Sequence, residues 1–371
     1  MNIVNGHVFD VEQGFVSKTL ATHGGIIAQE STDDVVIDAE GCYVIPALTD
    51  LHFHGCMGHD FSDGDSAGLV EMARYQLQNG VGQICPAGMT LLEDQLSKIC
   101  TMAADHVNMP DSATLVGLQL EGPFLSRAKK GAQNGDWLHG LDLAMLKRLQ
   151  QAANGLIKLV AMAPELDGAM EFIREASKDV VISVAHTGAD YETATSAFEA
   201  GARQVTHLYN AMPAYTHRAP GVVGAAMDAP DVMVELICDG VHIHPSVVRG
   251  TFRMFGAERV ILISDSMRAT GMPDGQYTLG GQDVVVKGRL ATLLDGTIAG
   301  SATNLMHCMQ TAITMGIAPQ DAVNAAAVNP AKALGIYDRV GSLDVGKEAN
   351  FVILNPDFTL KQVVFHGNIV E

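Results

Sequence analysis

The chain has 371 residues, 47% of them hydrophobic and 18% charged, enough to bury a large core. Its formal net charge of -19 excludes nonspecific binding to nucleic-acid backbones, which needs Lys/Arg-rich surfaces, but leaves room for a small phosphorylated ligand held by a few local donors. MNIVNGHVFD lacks the basic start and apolar stretch of a signal peptide, no apolar run approaches the roughly 20 residues of a membrane span, and the six cysteines form no CxxC pair. A cytoplasmic protein with free thiols is expected.

Residues 1–43 are strand-like, with turn signals at Asn5-Gly6 and Gly24-Gly25. From about residue 44 apolar strands alternate with helical stretches. Strands are expected at 44–51, 82–87, 115–120, 157–162, 180–185, 204–206, 233–237 and 260–263, with helices such as 66–78, 92–107, 142–153 and 191–200 between them. This alternation reads as βα units around a parallel sheet, and eight strands close into a (β/α)₈ TIM-type barrel over 44–340. Residues 275–300 read as a Gly-rich β-hairpin insertion. Residues 341–371 are strand-like again, with a turn at Gly367-Asn368. The two ends, 1–43 plus 341–371, are expected to form a small β-sandwich-like domain beside the barrel, because the termini of compact chains often lie close together.

The reacting groups of such a barrel sit at the C-terminal ends of its strands. The first strand ends Asp50-Leu51-His52-Phe53-His54-Gly55, and period-two geometry turns both imidazoles to one side, where they can share an ion. HxH alone is weak in a chain with 14 histidines. The third strand runs into Glu121-Gly122-Pro123, the fifth into His186, the sixth into His207 and the eighth into Ser264-Asp265. Any one of these reads equally as a capped turn or a bonded core group. Five together, each at a strand's C-terminal end, point to a metal centre with a carboxylate base.

This ligand order resembles the amidohydrolase superfamily. Leu120-Glu121-Gly122-Pro123-Phe124, Lys129-Lys130-Gly131, Ala163-Pro164-Glu165, His207-Leu208-Tyr209-Asn210-Ala211-Met212-Pro213 with Arg218, Cys238-Asp239-Gly240-Val241-His242 and Asp344-Val345-Gly346-Lys347 are similar to the N-acetylglucosamine-6-phosphate deacetylase family. The resemblance implies that Glu121, His186 and His207 bind a divalent cation. His52 and His54 make a second ion possible, with Glu121 bridging and Asp265 nearby. Zn²⁺ or Fe²⁺, one or two per subunit, suits such N/O ligands. Asp265 is then the catalytic residue, taking a proton from the attacking water and returning it to the departing amine. The resemblance assigns the phosphate to Asn210, the Ala211 N–H, Arg218 and His242, with Arg218 reaching in from the neighbouring subunit of a homodimer. The segment 301–306 is expected to close over the sugar, with Met306 among its contacts. Gln133 is a departure: the family places a histidine there, near the reacting carbonyl, and glutamine carries neither charge nor a transferable proton. His139, a little further on, replaces it only if the loop folds inward, and otherwise reads as a surface residue. N-acetylgalactosamine 6-phosphate is therefore the alternative substrate, and a non-catalytic sugar-phosphate-binding homologue the alternative of another class.

Overall fold

The computed structural model describes residues 1–370. The expected barrel is present, built from parallel strands Leu48–Asp50, Val81–Ile84, Leu118–Glu121, Ile157–Met162, Val181–Val184, Gln204–Val205, Met233–Ile237 and Val260–Ile263. The second strand bridges its neighbours in two pieces: Val81–Ile84 pairs with Leu48–Asp50, and Ala87–Gly88 pairs with Gln119–Leu120. Closure runs from the eighth strand to the first. Asp265 N–H donates to the His52 carbonyl at 3.0 Å, His54 N–H to the Ser266 carbonyl at 2.7 Å, and Ser264 Oγ to Asp50 Oδ2 at 2.5 Å.

Aspartates begin three of the helices. Asp65 accepts from the N–H groups of Ala67 and Gly68 ahead of Ser66–Gln78, Asp142 from Met145 ahead of Leu143–Ala152, and Asp190 from Thr193 ahead of Tyr191–Ala200. Each satisfies backbone donors that the first helical turn leaves open.

The stretch 44–51 is not one strand. Tyr43–Pro46 pairs with His7–Asp10 and Phe351–Leu354 in a terminal sheet, and only Leu48–Asp50 enters the barrel. The chain crosses between the two at Ala47. A six-stranded sheet thereby joins both ends of the chain, and a four-stranded sheet of Asn2–Val4, Leu20–His23, Ile26–Ala28 and Val36–Asp38 packs on it. Strand alternation divides the side chains between two cores. Val8, Val44, Phe351, Ile353 and Val364 meet Ile3, Leu20 and Ile27 between the sheets, while Phe9, Ile45, Val352, Leu354 and Phe365 turn toward the barrel. The insertion has three antiparallel strands, Gly275–Leu279, Gln282–Lys287 and Leu290–Leu293, where the sequence suggested a two-stranded hairpin. Among the described residues no helix is long and apolar enough to cross a membrane.

Candidate active site

The strand ends deliver their polar side chains inward through a strained backbone. His186, His207 and Asp265 have φ of 42°, 31° and 48°, and Tyr209 and Ala211, in the turn after His207, have 78° and 52°. These five are half of the ten non-glycine residues with positive φ, so the strain is concentrated where the surrounding structure can hold it for a purpose. Gly131, in the Lys129-Lys130-Gly131 motif, has φ of 54° and lies flat against His186, where an added Cβ would sit 3.3 Å from the ring.

At the centre is Glu121, buried, with imidazoles around it. Its Oε1 lies 3.1 Å from His186 Nε2, 2.9 Å from His207 Nε2 and 3.7 Å from His52 Nε2, and its Oε2 lies 3.2 Å from His54 Nε2. Asp265 Oδ1 is 3.2 Å from His54 Nε2 and 3.9 Å from His52 Nε2. The outer ring nitrogens fix several tautomers. His54 Nδ1 bonds the Ala87 carbonyl at 3.0 Å and His186 Nδ1 the Lys129 carbonyl at 2.9 Å. A carbonyl only accepts, so both Nδ1 atoms carry hydrogen, and in the neutral rings both Nε2 atoms would aim lone pairs at carboxylate oxygens. His186 Nε2 and His207 Nε2 stand 3.1 Å apart, facing the same oxygen, and the buried His52 Nε2 has no hydrogen-bond partner among the described residues.

Acceptors facing acceptors are repulsive unless protons or cations lie between them. Burial favours neutral forms, but the carboxylates outweigh it: Glu235, Glu121 and Asp265 raise His52 to about 9, and Asp265 and Glu121 raise His54 well above the usual imidazole range. In return, and against the same burial, hydrogen bonds from His186 and His207 hold Glu121 well below the ordinary carboxylate range, and the His54 bond depresses Asp265. A divalent cation stabilises the same carboxylates and displaces those protons. The donor atoms form two sets, each within 4.8 Å: Glu121 with His186 and His207, and His52 with His54 and Asp265. Nitrogen and oxygen donors in threes suit a transition-metal ion with an open position.

A cavity of about 380 Å³ opens onto this cluster, within the size range of small-molecule sites. It reaches Asn210, Ala211, Lys129 and His242, and Met89, Leu279 and Ile298 supply apolar walls. The Ala211 N–H finds no acceptor among the described residues. His242 Nδ1 lies 2.7 Å from Asp239 Oδ2, whose other oxygen accepts from the N–H groups of Val241 and His242. Burial opposes the imidazolium there, but the Asp239 bond prevails and His242 is raised. Asn210 differs from expectation, since both N–H groups of its amide go to the His207 and Leu208 carbonyls.

The family model described as "Amidohydrolase family" matches residues 43–370. The chain belongs to the amidohydrolase family. Among curated relatives, the N-acetylglucosamine-6-phosphate deacetylase of Bacillus subtilis (strain 168) is 39% identical over 341 residues, covering 88% of this chain and 84% of that protein. The N-acetylgalactosamine-6-phosphate deacetylase of Escherichia coli O157:H7 is 32% identical, covering 94% and 93%. A solved structure of a mutant N-acetyl-D-glucosamine-6-phosphate deacetylase from Mycobacterium smegmatis, in complex with N-acetyl-D-glucosamine-6-phosphate, superposes with a TM-score of 0.92 at 30% identity, covering 100% and 99% of the two chains.

Within this amidohydrolase, Met306 and Gln133 lie elsewhere or act differently from expectation. Met306 does not reach the cavity: it sits in the helix Leu305–Thr314, and its side chain packs in the core beside Gly80 and Val352. Arg218 is exposed and outside this subunit's cavity, its Nη1 2.7 Å from His217 Nε2. Gln133 lines the cavity, yet its Nε2 donates to Glu121 Oε2 at 2.7 Å and its Oε1 accepts the Thr90 N–H at 2.8 Å. His139 is exposed and bonds the Gly140 carbonyl. Met89, Leu279, Ile298 and Glu235 escaped the sequence reading. The first three carry no polar signal. Glu235 carries one, a lone charge inside an otherwise apolar strand.

Proposed function

We infer that the chain hydrolyses the N-acetyl group of N-acetylglucosamine 6-phosphate, giving glucosamine 6-phosphate and acetate. One observation carries this reading. A single cavity is lined both by a cluster suited to cations, with a carboxylate base, and by the Ala211 backbone, His242 and Lys129, whose donors suit a phosphate. The relatives agree with it in chemistry.

Glu121, His186 and His207 would hold one divalent cation, and His52, His54 and Asp265 a second, with the two oxygens of Glu121 facing one group each. Zn²⁺ or Fe²⁺ held there would supply Lewis acidity and make water a stronger acid. Asp265, held ionised by its bond to His54, accepts the water proton as the oxygen–carbon bond forms at the acetyl carbonyl. It returns that proton to the sugar nitrogen as the carbon–nitrogen bond breaks, so that a neutral amine leaves. Met89, Leu279 and Ile298 keep the sugar's surroundings dry. Gln133 acts on Glu121. Arg218 adds a guanidinium to the phosphate of the neighbouring site in a homodimer, a role that fits its exposure and its distance from its own cavity. The six free, buried thiols suit the reducing cytoplasm.

Asp265→Asn separates this enzyme from a sugar-phosphate-binding homologue. Hydrolysis is expected to fall by about 10²–10⁴-fold while calorimetry still registers N-acetylglucosamine 6-phosphate binding. A variant that hydrolyses at the wild-type rate removes Asp265 from the mechanism.

A further inference from the structure

We propose that Glu235 is a positioning residue that establishes the second cation position by holding His52 in the tautomer able to ligate. This rests on the metal-dependent reading above. Glu235 lies in the seventh barrel strand among Met233, Val234, Leu236 and Ile237, and no part of it is solvent-accessible. It does not line the cavity, so it meets no substrate. A carboxylate buried in this way is costly unless donors surround it, and here they do. Oε2 accepts from His52 Nδ1 at 2.8 Å and from the His207 N–H at 3.3 Å, and Oε1 accepts from Gln204 Nε2 at 2.5 Å.

The consequence falls on His52. With Nδ1 donating to Glu235, Nε2 is the ring nitrogen of His52 left to ligate a cation. That Nε2 is buried and, among the described residues, unpartnered, 3.7 Å from Glu121 Oε1 and 3.9 Å from Asp265 Oδ1. These separations are too long for hydrogen bonds and leave Nε2 between two carboxylates. Carboxylate-to-imidazole bonds of this kind orient metal-ligating histidines and raise their basicity.

The test uses apo-protein titrated with Zn²⁺ alone, with bound metal counted after dialysis and affinities read by competition with a chromogenic chelator. Wild type is expected to bind two equivalents. In Glu235→Gln the amide cannot accept from both Gln204 and His52. With its oxygen on Gln204, its NH₂ faces His52 and drives the imidazole proton to Nε2. The first equivalent should keep its affinity and the second weaken by about 10–100-fold, matching His52→Gln. A merely structural role would loosen both ions together. Glu235→Asp withdraws the carboxylate by one methylene, should weaken the second ion to an intermediate degree, and decides the matter if Glu235→Gln does not fold. Either variant holding two equivalents with wild-type affinities overturns the proposal, as does a wild type that takes up only one. A one-equivalent wild type that still releases acetate from N-acetylglucosamine 6-phosphate leaves the deacetylase reading standing. Two equivalents without turnover does the reverse.

Discussion

Gln133 stands where the resemblance puts a histidine, and its amide is spent between Glu121 and the Thr90 N–H. The substitution therefore acts first on Glu121. Gln133→Leu removes the bond to Glu121 Oε2 and strands the Thr90 N–H, so cation affinity should fall by about 10–100-fold in a zinc titration. Unchanged affinity would show that Gln133 serves the substrate alone. His242 gives a pH prediction. Burial works against its charge, yet Asp239 raises it above the ordinary imidazole value. The imidazolium thus persists to higher pH than that of an ordinary histidine, and KM for the phosphorylated substrate should rise once pH passes the raised value. For stability the sign is the same: a raised folded-state value means the contribution is complete below the unfolded value of about 6.5 and is lost as pH climbs through the folded one. Asp239 is depressed, because its bonds to His242 outweigh its burial, so its contribution is lost only as pH falls through that lowered value. Melting temperatures of wild type and His242→Gln should converge on the alkaline side. A gap that persists undiminished there assigns the stability to packing instead.

Among the elements, the terminal sheets and the barrel are joined by strands that face both ways. Phe351 points between the two sheets, and its neighbour Val352 joins the core on the barrel side. Phe351→Ala should cost about 3–5 kcal/mol in denaturant unfolding and leave kcat unchanged in the folded fraction, because none of its core partners touches the cavity. A folded variant with depressed kcat would tie the sheets to the chemistry. The insertion is different. Leu279 ends its first strand and forms part of the cavity wall, so changes there are expected in KM. Strand and helix periodicity made most of these elements legible. The division of 44–51 at Ala47 was not legible, since Val44, Ile45, Ala47 and Leu48 are all buried and periodicity does not say which sheet buries them. Met306 was misplaced for a related reason. Asn304 caps the helix Leu305–Thr314 by accepting the His307 N–H, which turns a presumed loop into a helical start whose next apolar residues face the core.

For the whole molecule, the candidate ligand residues were legible because five polar groups recurred at strand ends, which a capped turn or core group explains singly but not together, and the barrel brings them together whatever their separation along the chain. The cavity's apolar wall and the tautomer control by Glu235 depend on which strands become neighbours in space. Assembly is open to a direct test. Arg218→Ala and Asp265→Asn subunits, each inactive alone, should recover activity when exchanged into mixed dimers, where an intact Asp265 site receives an intact Arg218. Complete exchange without recovery would place the arginine's role, if any, in its own subunit. The central claim is tested most directly by acetate release from N-acetylglucosamine 6-phosphate and N-acetylgalactosamine 6-phosphate, using protein loaded with Zn²⁺ or Fe²⁺ and a chelator control. The account predicts turnover that is higher on the gluco epimer and is abolished by chelator. Metal-loaded protein that releases acetate from neither would contradict it.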